Sequence, residues 1–408
     1  MTRIIIDTLG AAGDGVAATD AGPVYAPFTL PGELVEGEIA DGRMEAAKII
    51  SPVADRVAAP CPHFRRCGGC GLQHASDALV ADWKRQLVAD ALAARGIADI
   101  AIRPTLTSPA RSRRRTTFAA RRTKKSVQIG FHGRKSDEII PLTTCEVVHP
   151  DLLSAFPAIE ACAYLGASRK SAIRATVTRS LSGLDLAIDG GKPLEKQALI
   201  DAAALAEAHD LARLTWSGEI LVTRRPPHQR IGRALVAPPP GGFLQATAEG
   251  EAALLAAAQE AVGAPPKLVD LFSGCGAFTI PFADRTEVHA VEGDAALLAA
   301  LTKGWKAVGG LARVTTEARD LFRRPLLAEE LNAYPAAIID PPRAGAKAQM
   351  EQIAASAIPV VASLSCDAGS FARDARTLIE GGYRLDWAQP VDQFRWSAHV
   401  EIAARFSR

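Results

Sequence analysis

The chain has 408 residues, of which 48% are hydrophobic and 23% are charged, and its formal net charge is +2. This length predicts two or three domains, because single cores rarely grow beyond roughly 250–300 residues. The composition is typical of a soluble globular protein. No stretch approaches the ~18 apolar residues of a membrane span, and no signal-peptide core opens the chain, so we expect a cytoplasmic protein. Seven cysteines argue against a disulfide scaffold and favour metal binding or catalysis.

Residues 1 to about 56 contain short runs of β-type residues separated by turn signals. The runs cover 4–6, 24–28 and 34–39, with a glycine-rich stretch and a Pro31-Gly32 turn between them. Closely spaced turns between short strands favour a small β-barrel, with an irregular arm as the alternative.

Three cysteines follow close together, as Cys61, Cys67 and Cys70 in CPHFRRCGGCGLQH. This compactness predicts a metal or iron–sulfur site, for which Cys145 is a natural fourth thiolate. Four thiolates suit either zinc or a cubane cluster. The spacing differs from that of zinc-ribbon pairs and from the CxxxCxxC of radical enzymes.

The next segment combines a helix with a strongly basic stretch. Residues 76–95 place apolar side chains at helical spacing, with Ser76 as the cap and Gly96 as the stop. The stretch 100–136 then contains eleven Lys or Arg and no acidic residue. Its basic residues alternate with β-type positions, which predicts a charged β-ribbon. At this density the ribbon is expected to bind a polyanion.

From about residue 233 the pattern changes to alternating strands and helices. Four apolar runs cover 268–272, 288–292, 336–340 and 359–364, with helical stretches between them. Continuous apolar strands alternating with helices predict a parallel sheet that is covered on both faces. The carboxyl ends of parallel strands share one edge of a sheet, and open α/β sheets bind their ligands there.

The first of these strands runs through Asp270 into a turn that contains Gly274 and Gly276, which allow the backbone to approach a nucleoside closely. Glu292 ends the second strand, where a carboxylate can bind both ribose hydroxyls. The motif lacks the third glycine of the dinucleotide fingerprint, so an adenosine without a pyrophosphate is favoured. Together these residues predict a site for S-adenosylmethionine.

Two further motifs at the same edge indicate the reaction. Asp340-Pro341-Pro342 is similar to loops with which methyltransferases hold a nucleobase, which leaves transfer to an exocyclic amine or to a ring carbon open. Cys366 follows the last apolar strand and favours the ring carbon. Carbon 5 of uracil is too weak a nucleophile to attack a methyl sulfonium unless a thiolate first adds to carbon 6.

With these motifs the chain resembles the RNA uracil-5 methyltransferase family, in particular the members that act on large-subunit ribosomal RNA and carry an iron–sulfur cluster. The resemblance implies an OB-like TRAM barrel over 1–56, a central β-rich iron–sulfur domain over 57–232 and a Rossmann-like α/β methyltransferase domain over 233–408. It also implies that residues 75–107 pack on the catalytic domain. The cluster is then 4Fe-4S, with Cys145 as its fourth ligand.

The family's motifs make Cys366 the nucleophile and Glu401 the base that removes the carbon-5 proton. The implied cofactor-binding residues are Gln245, Phe272, Ala277, Glu292, Asp320 and Asp340. Four positions depart from the family. Ala277 and Thr247 stand where asparagine is usual, and Asp367-Ala368 replaces Asn-Pro after the cysteine.

We therefore expect methylation of carbon 5 of a uridine in RNA, with 23S ribosomal RNA as the first choice and transfer RNA as the alternative. The uridine would be flipped out of its stack, and a monomer is the default. Two rivals stay open: a base-amine methyltransferase that needs neither Cys366 nor Glu401, and a non-catalytic RNA-binding ribosome-assembly factor with a degenerate site. The expected phosphate contacts are Arg111, Arg113, Arg114, Arg115, Arg121, Arg122, Lys124 and Lys125.

Overall fold

The computed structural model describes the backbone of residues 1–408 and every side chain except that of Lys196. Among the residues described, no helix is long and apolar enough to cross a membrane. The helices are α1 (Asp77–Ala93), α2 (Pro150–Leu153), α3 (Phe156–Gly166), α4 (Lys196–Ala208), α5 (Ala248–Val262), α6 (Thr279–Phe282), α7 (Ala295–Lys306), α8 (Ala328–Leu331), α9 (Lys347–Ala355) and α10 (Ala368–Glu380).

The strands belong to three parts of the chain. The first part contains β1 (Thr2–Ile5), β2 (Thr8–Leu9), β3 (Gly15–Thr19), β4 (Gly22–Ala26), β5 (Leu34–Gly37) and β6 (Lys48–Ser51). The middle part contains β7 (Ala101–Ile102), β8 (Leu106–Thr107), β9 (Arg115–Arg122), β10 (Val127–His132), β11 (Ile139–Pro141), β12 (Ile173–Ser180), β13 (Gly183–Asp189), β14 (Arg213–Trp216), β15 (Glu219–Thr223) and β16 (Gln229–Ile231). The last part contains β17 (Ala234–Val236), β18 (Lys267–Leu271), β19 (Glu287–Glu292), β20 (Val314–Ala318), β21 (Ala336–Ile339), β22 (Val360–Ser365), β23 (Arg384–Asp392) and β24 (Glu401–Ser407).

The amino-terminal strands form two three-stranded antiparallel sheets, in the orders β1-β5-β6 and β2-β3-β4. Strands occur where the sequence predicts short β-type runs. Alternate side chains, among them Ile6, Val24, Val35 and Met44, point inward and fill a small core. The interpretation of this segment as an OB-like TRAM barrel stays a prediction.

The central domain contains a seven-stranded sheet in the order β11-β10-β9-β12-β13-β14-β15. The basic stretch forms β9 and β10, which pair in an antiparallel hairpin with Arg122 opposite Val127. The charged β-ribbon expected from the sequence is therefore confirmed. Helices α3 and α4 cover the sheet, and Phe118, Ile159 and Leu214 lie in the shared core.

The sheet formed mainly by residues 233–408 is called the catalytic sheet, because the sequence predicts catalysis there. It has the strand order β20-β19-β18-β21-β22-β24-β23-β7, and β8 also pairs with β23. Strands β20, β19, β18, β21 and β22 are parallel, which confirms the predicted parallel sheet. Strand β24 runs antiparallel between β22 and β23. The chain order reverses between β18 and β21, and such a switch point opens a crevice at the carboxyl edge of the sheet.

Helix α1 lies early in the chain and packs on the catalytic domain. It begins after Ser76, whose hydroxyl accepts the backbone N–H of Leu79 at 3.1 Å, and the chain turns at Gly96 with a φ of +70°. Val88 and Leu92 are buried in the main catalytic core. Strands β7 and β8 then pair in parallel with β23, so residues 77–107 complete the edge of the catalytic sheet.

Candidate active site

The carboxyl edge of the catalytic sheet brings together the polar residues that the sequence places at strand ends. Asp270 lies near the end of β18, Glu292 ends β19, Asp340 follows β21 and Cys366 follows β22. These four strands are neighbours and run in the same direction. Their polar ends therefore line one crevice at the switch point of the sheet.

Glu401 reaches the same edge from the opposite direction. It is the first residue of β24, which is antiparallel to β22, and Ile402 pairs with Ser365. Glu401 is therefore next to Cys366 across the two strands, and the side chain of Glu401 is buried. The adjacency of the expected nucleophile and base depends on one reversed strand in an otherwise parallel sheet.

The glycine turn holds Glu292 by backbone contacts. The N–H of Gly274 donates to Glu292 Oε2 at 3.0 Å, and the N–H of Asp294 donates to Oε1 at 3.0 Å. Gly274 and Gly276 have φ values of +55° and +93°, which favour glycine. At Gly276 a Cβ would also lie 2.8 Å from Leu301 Cγ. The turn therefore requires glycine for its conformation and for its packing.

Asp270 is completely buried beneath this turn. Thr279 Oγ1 donates to Asp270 Oδ2 at 2.5 Å, while Oδ1 has no partner among the described residues. Burial raises the pKa of Asp270 to about 7, and the neighbouring charge of Asp340 acts in the same direction. A buried carboxyl oxygen without a donor is costly unless a ligand supplies one.

Two aromatic rings flank the crevice. Phe272 has a φ of +61°, a conformation that non-glycine residues adopt rarely and mostly where the surrounding structure imposes it. Its ring centroid is 5.3 Å from that of the exposed Phe322. Asp320 orients Phe322 by accepting its backbone N–H at 3.0 Å. Ala277 packs against the neighbouring apolar core and offers no polar group.

A chain of hydrogen bonds links the predicted cofactor and catalytic residues. Gln245 Nε2 donates to Asp340 Oδ2 at 3.2 Å, and Gln393 Nε2 donates to Gln245 Oε1 at 2.6 Å. Gln393 Nε2 also donates to Glu401 Oε1 at 3.1 Å. The sequence prediction did not include Gln393. A glutamine directly after a strand carries no distinctive spacing, so no signal in one sequence could have identified it.

The Cys366 thiol is half-buried beside two carboxyl groups. Burial, together with the charges of Glu401 and Asp340, raises its pKa to about 11. Burial and the charge of Glu401 likewise raise the pKa of Asp340 to about 8. The three groups share a confined space and disfavour one another's negative charge, so ionisation of the thiol is coupled to protonation of a neighbouring carboxylate.

Asp367, which departs from the family pattern, caps the helix that follows the cysteine. Its Oδ1 accepts the backbone N–H of Ser370 at 2.9 Å, as an asparagine at this position would. Its other oxygen lies 3.4 Å from Arg343 Nε. Although burial opposes the shift, these two contacts lower the pKa of Asp367. The loop that presents Cys366 therefore has a normal helix start.

The four candidate metal ligands lie in the central domain, outside the catalytic crevice. Cys61, Cys67, Cys70 and Cys145 line one cavity of about 320 Å³. Within the described part of the chain, no three His, Cys, Asp or Glu side chains are arranged to hold a single metal ion. What the structure shows of the four thiols is that they share this one cavity.

Three arginines of the basic stretch have partners within the molecule, which contradicts the phosphate contacts expected for them. Arg114 forms an ion pair with Glu251 and donates to the carbonyl of Gln245. Arg113 and Arg115 are partly buried, and Arg113 Nε donates to the Arg115 carbonyl at 3.0 Å. The prediction is wrong for these three residues, because charge density does not reveal which side chains have internal partners. Arg111 pairs with Glu146 at the surface, at 2.7 Å.

Related proteins identify the family. The chain is 42% identical over 402 residues to an uncharacterized RNA methyltransferase of Brucella suis, an alignment that covers 98% of this chain and 97% of that protein. It is 31% identical over 437 residues to the 23S rRNA (uracil(1939)-C(5))-methyltransferase RlmD of Halomonas elongata, with 98% of this chain and 88% of that protein covered. The chain belongs to the RNA uracil-5 methyltransferase family. No protein-family model matches it.

A solved structure shares the fold of this chain. The crystal structure of Pyrococcus abyssi tRNA (uracil-54, C5)-methyltransferase in complex with S-adenosyl-L-homocysteine matches with a TM-score of 0.78, and 99% of each chain is covered. The sequence identity is 20%, so the likeness concerns the fold. The methyltransferase fold expected from the sequence is therefore present. The Brucella and Halomonas relatives are both named as RNA methyltransferases.

Proposed function

We propose that the protein methylates carbon 5 of a uridine in RNA, with S-adenosylmethionine as the methyl donor, Cys366 as the nucleophile and Glu401 as the base. The observation that carries this proposal is the adjacency of Cys366 and Glu401 at the edge where the cofactor-type turn opens. A base-amine methyltransferase would use Asp340 and would leave this thiol–carboxyl pair without a role.

The crevice suits the proposed methyl donor. The carboxylate of Glu292 is fixed by two backbone N–H groups beside the glycine turn, in a position suited to ribose hydroxyls. The aromatic pair of Phe272 and Phe322 offers an apolar surface, and the buried Asp270 lies beneath the turn. Asp340 follows β21, which lies between the strand that leads into this turn and the strand that leads to the thiol, and Gln245 donates to Asp340. When bound, S-adenosylmethionine supplies a methyl group on a positively charged sulfur.

The residues of this chain then act in sequence. The Cys366 thiol transfers its proton to a neighbouring carboxylate and its sulfur adds to carbon 6 of uracil, which makes carbon 5 nucleophilic. Carbon 5 forms its bond to the methyl group as the sulfonium–methyl bond breaks. Glu401, once ionised, removes the proton from carbon 5, and the bond between carbon 6 and sulfur breaks to restore the thiolate. The carboxylate that took the thiol proton returns it to the thiolate, and Glu401 releases the carbon-5 proton to solvent, so the site regains its starting protonation state.

The RNA target is proposed to be 23S ribosomal RNA, following the relative that acts on uridine 1939. Mapping of 5-methyluridine by mass spectrometry, in cellular RNA with and without this gene, tests substrate and activity together. We expect one site in ribosomal RNA to lose its methyl group. Loss in transfer RNA would replace the substrate assignment, and unchanged RNA would favour a non-catalytic assembly factor.

The pH dependence of the final step is expected to follow Glu401. Burial raises the pKa of Glu401 to about 7, and the hydrogen bond from Gln393 opposes this rise. Because the base must be ionised, the rate of carbon-5 proton release should fall about ten-fold per pH unit below about pH 7. Release of tritium from RNA with 5-tritiated uridine measures this rate in a single turnover.

Asp270 provides the control for this profile, because burial also raises its pKa to about 7. An Asp270→Asn variant should keep the inflection near neutral pH whatever its affinity for the cofactor. An inflection that disappears in this variant, or a rate that is independent of pH in the wild type, would contradict the role of Glu401.

The cysteine cavity is proposed to hold a 4Fe-4S cluster. The backbone N–H of Gly69 donates to Cys67 Sγ at 3.4 Å, and that of Val147 donates to Cys145 Sγ at 3.5 Å. Such donors stabilise thiolates that bind iron. A single zinc would draw four sulfurs to within ~4 Å of one another, since each Zn–S bond is about 2.3 Å. A cavity of about 320 Å³ that is lined by four thiols offers room for a group larger than one ion.

Metal analysis distinguishes these two possibilities. Protein purified without oxygen should contain about four irons per chain, and a Cys70→Ser variant should lose most of this iron. Cys162 is a buried cysteine of α3 in the same domain and provides the control, since Cys162→Ala should keep its iron. About one zinc per chain in the wild type would show that the cavity holds a different metal.

The tip of the β9–β10 hairpin is proposed to bind RNA phosphates. Arg121, Arg122, Lys124 and Lys125 are exposed or half-exposed, and Arg122 lies 5.1 Å from the ring centroid of Tyr164. A Lys124→Glu/Lys125→Glu variant should bind RNA at least about ten-fold more weakly and reduce the salt dependence of log K by about 2. Filter binding at several salt concentrations measures both quantities.

A variant with the same change in charge elsewhere is the control for the hairpin. Lys347 and Arg376 lie on helices α9 and α10, where each has an acidic residue one turn away. Reversal of both charges should leave the salt dependence unchanged. Equal weakening in the two variants would mean that only the total charge of the protein matters.

A further inference from the structure

Gln393 has an amide orientation that its surroundings determine. Its side chain is buried, and its Oε1 accepts the backbone N–H of Ala246 at 2.8 Å and that of Thr247 at 3.4 Å. Backbone N–H groups can only donate, so the oxygen of this amide must face them. The NH₂ group of Gln393 therefore points toward the active site.

This NH₂ group has two hydrogens and two acceptors. One acceptor is Gln245 Oε1 at 2.6 Å and the other is Glu401 Oε1 at 3.1 Å. The first contact turns the NH₂ of Gln245 toward Asp340, which it meets at 3.2 Å. The second contact engages one oxygen of Glu401, while Oε2 has no hydrogen-bond partner among the described residues. The oxygen left free is the one available to take a proton.

The backbone around Gln393 is held rigidly from two sides. On one side, the preceding Asp392 forms an ion pair with Lys84 at 2.6 Å, and both side chains are completely buried. On the other side, α5 packs so closely that a Cβ on Gly250 would lie 2.7 Å from Gln393 Cβ. A side chain with both its position and its orientation fixed can orient the groups it contacts.

We propose that Gln393 is a positioning residue that orients Glu401 for proton removal and Gln245 for the cofactor. This inference rests on the proposed function. It assigns to one buried amide the connection between the cofactor half and the base half of the site. Gln393 touches neither the uracil nor the methyl donor in this role, and it acts through the two side chains it holds.

A Gln393→Leu variant tests this role, because leucine is similar in size and donates no hydrogen bond. If the base is misplaced, methyl transfer still occurs but release is delayed, so a covalent protein–RNA adduct should accumulate during turnover. We expect about 10- to 100-fold slower proton release, a part of the roughly 10²–10⁴-fold that a general base contributes. The inflection in its pH profile should move upward, because Glu401 loses the hydrogen bond that favours its ionised form.

Gln389 provides a matched control in β23, the strand that Gln393 directly follows. It is also buried, but its Nε2 donates to the carbonyls of Pro104 and Pro390, away from the site. Gln389→Leu should lower the stability without adduct accumulation or a shifted pH profile. Calorimetry with S-adenosylhomocysteine tests the proposed orientation of Gln245 for the cofactor. Gln393→Leu should bind this ligand several-fold more weakly than Gln389→Leu.

The outcomes separate this inference from the proposed function. Adduct accumulation and a shifted profile in Gln393→Leu alone would support the positioning role. If the wild type forms adducts and the two glutamine variants behave alike, the positioning role is wrong and the proposed function stands. If the wild type methylates RNA without any adduct, even on 5-fluorouridine RNA, the proposed function fails and the inference fails with it.

Discussion

A Cys366→Ala variant is expected to lose methyl transfer by at least about 10⁴-fold, because removal of a catalytic nucleophile leaves only binding and orientation. Carbon 5 of uracil has no other route to nucleophilic character in the proposed mechanism. Cys366 is half-buried in the crevice and outside the packed core, so the free energy of unfolding should change by about 1 kcal/mol or less. Binding of S-adenosylhomocysteine should persist.

Two measurements examine this expectation. One is single-turnover methylation of RNA, and the other is the SDS-resistant adduct formed with 5-fluorouridine RNA, in which a base cannot remove fluorine from carbon 5 as it removes a proton. The wild type should form the adduct and Cys366→Ala should form none. Cys275 lies in the glycine turn and is buried, and Cys275→Ala should keep adduct formation. Full activity of Cys366→Ala would favour transfer to a base amine.

The second large effect is expected when Lys84 is replaced, and it is first of all a loss of stability. The ammonium group of Lys84 and the carboxylate of Asp392 are 2.6 Å apart with no exposure of either side chain. Lys84 Nζ also donates to the carbonyl of His399 at 2.8 Å. A Lys84→Met variant should lose about 3–5 kcal/mol in its free energy of unfolding, because an uncompensated carboxylate stays buried. Urea denaturation measures this loss.

The same change should also affect catalysis through the segment between β23 and Glu401. Lys84 Nζ donates to Phe394 at one end of this segment and to His399 near the other. Residues held at both ends should become mobile in Lys84→Met, and hydrogen exchange of residues 393–400 should rise. The double variant Lys84→Met/Asp392→Leu removes both charges and should recover most of the stability.

An exposed ion pair provides the comparison for Lys84. Arg376 and Glu380 are one turn apart on α10 with both side chains accessible. Arg376→Met should change the free energy of unfolding by about 0.5 kcal/mol or less, because water and salt screen such pairs. Similar losses in Arg376→Met and Lys84→Met would mean that the buried pair has no special role.

The residues at strand ends could be predicted from the sequence for a simple physical reason. Parallel strands align their carboxyl ends, so Asp270, Glu292, Asp340 and Cys366 had to share an edge once the strands were recognised. The start of α1 could also be predicted from the sequence, because a capping residue such as Ser76 acts within one turn of its helix. Both inferences depend on local patterns of a few residues.

Other parts of the site depend on contacts between distant segments and could not be predicted in this way. Gln393 obtains its role from Ala246 and Glu401, and Lys84 obtains its role from Asp392, which is more than 300 residues away. The sequence predicts that Arg114 binds phosphate, because nothing in its neighbourhood indicates its ion pair with the distant Glu251. A single sequence contains the charges of these residues but not their partners.

The position of residues 77–107 at the outer edge of the catalytic sheet affects how the chain folds during its synthesis. Strands β7 and β8 have no partner until β23 has been synthesised, so an early segment waits through nearly the whole translation of the chain. Contacts between such distant segments form late and slowly, and apolar faces stay exposed in the meantime. Residues 233–408 therefore do not form a complete catalytic unit. In a chimera that exchanges these residues alone, the strands that pair with β23 would come from the other protein.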